Sequence, residues 1–204
     1  MRWLTAICIV VALAASVDRS HAADPRYPDW PCSQAKVPEI SVAAVWAGPP
    51  LGDAVNNWKN DSKVSALVPR LAARRTSLEE AQKEIAEFLA ASPPDKNERG
   101  KLLFAGLFDT LNAQRSSVMN GLERVTRKQR EAAEKIRSDT MTLQGLQDAP
   151  TKDQAKIDEL GNQLVWETRI FEDRRQVIKF VCEVPTAIDQ RLFALARDIQ
   201  QEIE

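Results

Sequence analysis

Reactive side chains are scarce in this chain: three cysteines (Cys8, Cys32 and Cys182), one histidine (His21) and scattered carboxylate pairs. A thiolate nucleophile needs a base beside it, and a structural zinc needs several convergent Cys or His ligands. No C-x-x-C spacing occurs, and no second histidine is available as base or ligand. Two cysteines of an exported chain are most simply a disulfide, so Cys32 is expected to bond Cys182. Closing so long a loop is worth about 5 kcal/mol in chain entropy, of which about 2–4 kcal/mol is normally delivered. The neighbours Glu79 and Glu80, and Glu172 and Asp173, could serve acid/base work in principle, but each pair sits in charged helical sequence and reads as a solvated face. No Gly-rich phosphate loop is present; Gly100, Gly106, Gly121 and Gly161 stand singly in helical pattern, where a glycine marks close helix contact. No catalytic, cofactor-binding or metal-ligating residue is expected.

The beginning of the sequence sharpens this. Met1-Arg2 precedes an apolar run from Trp3 to Ala15, and Ser20-His21-Ala22 has the small-residue pattern of a leader cleavage site. A secretory signal peptide is expected over residues 1–22, with cleavage near Ala22/Ala23 and a periplasmic or secreted product. Cleavage removes Cys8 and His21. The product then has no histidine, which excludes Ser-His-Asp and Cys-His catalysis, His-ligated metal and a histidine proton shuttle.

Charge narrows the partners. The chain has 28 basic and 29 acidic residues, a net charge of −1, which gives no footprint for general nucleic-acid binding. Locally, Arg124, Arg127, Lys128 and Arg130 cluster opposite Arg169, Arg174 and Arg175. This is a candidate contact for an anionic envelope polymer or lipid headgroup, although the interleaved Glu131, Glu134, Glu167, Glu172 and Asp173 make a network of surface pairs the simpler reading. A second candidate contact is the proline-rich arm, where Pro25, Pro28 and Pro31 impose an extended path around Tyr27 and Trp30. It is either a docking peptide or, as favoured here, a lid with both aromatics laid over the base of the helices that follow.

The element that must position these residues is a long helical hairpin over residues 95–204, turning near 149–151. From Phe104, steps of four and three give Phe104, Phe108, Leu111, Arg115, Val118, Leu122, Val125, Gln129, Ala132 and Ile136, an apolar stripe among Arg, Lys, Glu and Gln. Beyond the turn, Ile157, Leu160, Leu164, Phe171, Ile178 and Val181 repeat the spacing, and Ile188, Leu192, Leu195, Ile199 and Ile203 resume it past Pro185. Arg115, Gln129 and Asp139 interrupt the seam and are expected to fix its register. A turn at Pro150 places residues opposite one another when their numbers sum to about 299. Asp95 with Glu98, Thr151 with Gln154, and Thr76 with Glu79 read as helix caps. Residues 23–94 supply the arm and short amphipathic helices, with Ser41 to Ala47, Asp53 to Lys59, Ser62 to Arg74 and Thr76 to Ala91 as candidates, all needing the hairpin base as a common surface.

The fold expected is therefore all-α: a helical base with a projecting antiparallel coiled-coil hairpin and one disulfide. The hairpin resembles that of efflux adaptor proteins in this element alone, since the β-rich domains flanking it there have no counterpart here. The functional expectation is a non-catalytic binding or assembly factor, acting as adaptor or scaffold in the cell envelope through protein partners or self-association. The alternatives are a holdase-like chaperone and an all-α enzyme using a single carboxylate.

Overall fold

A computed structural model describes residues 24–204; the expected leader and its cleavage position, with Cys8 and His21, lie outside the described residues. Those residues form helices and no strand. The elements are α1 (Val42–Val45), α2 (Ala54–Asn57), α3 (Ser62–Ala72), α4 (Leu78–Ala90), α5 (Lys96–Asp148), α6 (Gln154–Val181) and α7 (Glu183–Ile203). Helix α5 runs 53 residues without a break, about 80 Å at 1.5 Å per residue. The chain then reverses, and α6 and α7 pack back along it.

Polar groups on the seam set the register, as a polar residue at a core position does. Gln129 Nε2 donates to the Phe171 carbonyl at 3.0 Å, and Lys135 Nζ donates to Glu167 at 2.7 Å, both within one helical turn of the register expected from a turn at Pro150. Arg115 is buried and its Nε donates to Asp189 at 2.8 Å. Pro185 interrupts the returning helix at one residue. Helix α6 ends at Val181 and α7 begins at Glu183, so the proline costs the returning helix its bond to Val181 and the interruption is confined to Cys182, which keeps helical φ and ψ.

The base is where the short helices find their surface. Phe104, Leu107, Leu111, Leu192, Leu195 and Ile199 of the hairpin are fully enclosed with Val64, Val68 and Leu71 of α3 and Ile85 and Leu89 of α4. Each such side chain contributes about 1.5–3 kcal/mol of burial, which a one-turn helix could not gather alone. Trp46 stacks on Phe104 with ring centroids 4.3 Å apart. Gly106 is required by this packing: a Cβ there would lie 2.7 Å from Val68 and 2.8 Å from the Trp58 ring. Gly100 meets Ile203 in the same way, whereas Gly161 has open space around it and Gly121 only the end of the Arg124 side chain.

The caps fall one or two residues away from the expected positions. Ser77, not Thr76, caps α4 by accepting from the Glu80 N–H at 3.0 Å, while the Thr76 hydroxyl donates to the Arg70 carbonyl at 2.9 Å. Asp153, not Thr151, caps α6 through the Lys156 N–H, since the turn runs on past Pro150. Asp95 makes no cap bond; a short 3-10 turn over Pro93–Asp95 feeds straight into α5. Helix α3 runs unbroken through Pro69.

Candidate functional site

The staple is formed: Cys32 and Cys182 are bonded, with Cα atoms 5.5 Å apart. Cys182 lies between α6 and α7, so the bond fixes the arm at the foot of α6. From there the arm does not cover the base as expected. Nor is it extended: Tyr27 N–H donates to the Asp24 carbonyl at 2.9 Å and Trp30 N–H to the Tyr27 carbonyl at 3.0 Å, two successive turns with Pro25 and Pro28 at their second positions, and the arm lies along the stalk toward the tip, where Asp29 meets Arg127 and Arg130, both at 2.9 Å. Hydrogen bonding from Arg127, then from Arg130, holds the Asp29 carboxyl below its ordinary value. Lys36 pairs with Glu123 and lies 4.6 Å over the Tyr27 ring, and Trp30 Nε1 donates to the Gln34 carbonyl at 2.7 Å. Tyr27 and Trp30 are thus half-buried and engaged with their own arm.

This divides the basic cluster. Arg127 and Arg130 face the arm and share the single carboxylate of Asp29, and Arg175 lies on the same side, where it lines a depression with Pro31 and Gln129 and pairs with Glu172 at 3.5 Å. Arg124 and Arg174 stand on the opposite side. Lys128 makes no ion pair among the described residues. The candidate cationic site is therefore not one surface.

The opposite side is the notable one. Val118, Gly121, Leu122 and Val125 of α5 face Arg174, Val177, Ile178 and Val181 of α6 across an apolar groove of about 570 Å³. Gly121 leaves its wall low. Toward the tip, Lys135 closes the groove by bridging Asp139 at 2.6 Å and Glu167 at 2.7 Å. Asp139 first, then Glu167, raises the Lys135 pKa; Lys135 first, then Gln163, lowers that of Glu167.

Beside the groove runs a ridge on α6 that the seam pattern does not include. Trp166, Ile170, Val177 and Phe180 are 63, 46, 59 and 76 % exposed, although they are large and apolar. With Asp173 they repeat at steps of four, three, four and three, a second stripe beside the seam, of which Asp173 and Val177 also border the groove. Arg169 sits 6.0 Å over the Trp166 ring. Scattered exposed apolar residues are ordinary, whereas a contiguous set marks an interaction surface. Sequence reasoning missed this ridge by following one stripe per helix; the spacing from Trp166 was the available signal.

The groove continues a surface that the base fills. Residues seven apart share a side of a helix, and Ile170, Val177, Val184 and Arg191 form such a row, crossing Cys182, whose φ of −58° and ψ of −25° keep helical geometry. Val184 packs against the core, and the buried Arg191 donates from Nε to the Leu71 carbonyl at 2.7 Å. The α3 C-terminus therefore covers the row at the base, with α4 packed on α7 beside it. Higher up, the same row is bare at Val177 and Ile170.

A cavity of about 510 Å³ in the base is lined by Leu51, Trp58, Phe108, Asp109 and Asn112. Its carboxylate, Asp109, faces Lys59 at 3.6 Å, and both are more than half exposed. No group of three or more His, Cys, Asp or Glu able to hold a metal occurs among the described residues, and no helix among them is long and apolar enough to cross a membrane. Compared with family models, curated proteins and solved structures, the chain matches none.

Proposed function

We propose that this protein is an exported, non-catalytic binding or assembly factor of the cell envelope, working through the open side of its hairpin. The observation that carries the reading is the apolar groove lying beside the exposed ridge of Trp166, Ile170, Val177 and Phe180. An arm stapled along one side of the stalk and bare apolar surface on the other suit a scaffold that receives a helix: the i, i+4, i+7 spacing of the ridge is the pattern read by helix-in-groove recognition. Arg124 and Arg174 at the groove supply polar edges for orienting it.

Photo-crosslinking in intact cells tests this. A photoreactive residue at Val177 is expected to form discrete protein adducts, and one at Lys152 in the hairpin turn is expected to form none. Adducts of equal yield and heterogeneous mass at both positions would count against a docking surface and favour transient holding of unfolded clients. Fractionation of the same cells tests the export: recovery with cytoplasmic markers would remove the envelope from the proposal.

A further inference from the structure

The cavity in the base is lined by a cation and an anion that do not hydrogen-bond each other. Lys59 Nζ and the Asp109 carboxylate stand 3.6 Å apart, too far for a hydrogen bond, and both side chains are more than half exposed. A pair so exposed adds little to stability, and a ligand can take its place at little cost. Asn112 lines the same cavity, and its Oδ1 is enclosed without a hydrogen-bond partner. An amide turns easily about its last torsion, so Asn112 offers either its oxygen or its N–H groups to whatever enters. We propose that this cavity binds a free α-amino acid with a large apolar side chain, Lys59 taking its carboxylate and Asp109 its ammonium group.

The lining selects that class. A ligand of single charge satisfies one of the two side chains and leaves the other without its partner, whereas a zwitterion with its charges one carbon apart satisfies both. Leu51, Val55 and Phe108 supply the apolar part of the wall. Val55 is 51 % exposed although large and apolar, and a ligand side chain covers it. A volume of about 510 Å³ suits a small molecule, and such sites join an apolar lining to a few converging polar groups.

The core, not their mutual attraction, sets the two charges in place. Trp58 is 8 % exposed and packs on Gly106 of α5, where a Cβ would lie 2.8 Å from its ring. This fixes the turn that carries Lys59 against the helix that carries Asp109 and Asn112, which at a spacing of three share a face. Lys59 Nζ in turn lies 5.0 Å over the Trp58 ring. A site held this way before its ligand arrives loses little to ordering on binding. It lies in the base, apart from the open side of the hairpin, so neither reading depends on the other.

Calorimetry on the full oxidised chain tests this, with amino acids as the probes. L-leucine or L-phenylalanine is expected to saturate a single site per chain. Glycine lacks the apolar group, N-acetyl-leucine the ammonium and leucinamide the carboxylate, and each should bind at least about tenfold more weakly. Lys59→Met and Asp109→Asn replace exposed side chains, so helical content and thermal midpoint should hold while affinity falls by about tenfold or more. A chain that saturates with neither amino acid overturns the proposal. So does binding that both variants leave unchanged, because the site then lies elsewhere. N-acetyl-leucine or leucinamide binding as tightly as leucine also overturns it, since the ligand is then a single ion.

Discussion

Arg115 on α5 donates from Nε to Asp189 on α7 at 2.8 Å, and its Nη1 reaches the Pro38 carbonyl at 3.3 Å, so one buried guanidinium ties three separate segments together. Removing the carboxylate strands that charge, at a cost of about 3–5 kcal/mol. Asp189→Ala should therefore lower the urea unfolding free energy by that amount. Replacing both partners with apolar residues, Arg115→Met with Asp189→Leu, should recover most of it. If the double variant is as unstable as the single one, the desolvated charge is not the cause.

Two carboxyls give the pH dependence a definite sign. Desolvation raises the Asp189 pKa against the opposing pull of Arg115, and raises that of Asp198 against Arg197. A carboxyl whose folded pKa is raised binds its proton more tightly in the native state, so its contribution is complete below the unfolded pKa and is lost as pH rises through the folded one. Asp198→Asn is accordingly expected to be at least as stable as the parent at neutral pH, with the difference disappearing in acid. Asp29 has the opposite sign. Its lowered pKa contributes above the ordinary value of 3.8 and is lost only as pH falls below it, so the arm clamp should hold through mild acid. Urea midpoints for parent and variant across the acid range measure the first effect.

Cutting the staple should matter for stability and for the arm. Cys32→Ser removes a cross-link between residues 150 apart in sequence, at a cost of about 2–4 kcal/mol. Proteolysis should then cleave first between Asp24 and Gln34, since beyond the staple Asp29 holds that stretch only through half-exposed arginines. An unchanged melting temperature on reduction would contradict this.

Two glycines in similar helical sequence should respond oppositely to alanine. Gly106→Ala drives a methyl into Val68 and Trp58 and should cost about 1–3 kcal/mol. Gly161→Ala meets nothing and should gain up to about 1 kcal/mol from helix propensity. Paired thermal melts separate them.

The hairpin, the staple and the polar seam residues were legible because each depends on repeated or paired signals: a stripe carried over ten or more turns, two cysteines, and a charge where the stripe demands an apolar residue. The caps were legible only to within a residue or two, since several Ser, Thr and Asp residues stand near each helix start and tertiary contacts choose among them. Ser77 caps α4, while the hydroxyl of its neighbour Thr76 donates to the Arg70 carbonyl. The path of the arm was not legible. Proline fixes its own φ, which suits a turn as well as an extended path, and Pro25 and Pro28 sit in turns; the direction rests on a single acid, Asp29, meeting two arginines about a hundred residues away. The basic cluster misled for a related reason, because adjacent residues on a helix point to different sides and only the assembled hairpin separates Arg124 from Arg127.

Cys182 is the single residue between α6 and α7, and it is also the residue to which the arm is bonded. The joint at which a two-part returning helix would flex is therefore pinned from outside, while α5 crosses the same level without interruption. A load applied at the tip passes to the base as it would through a splinted strut, and reducing one bond converts that strut into a lever with a free elbow.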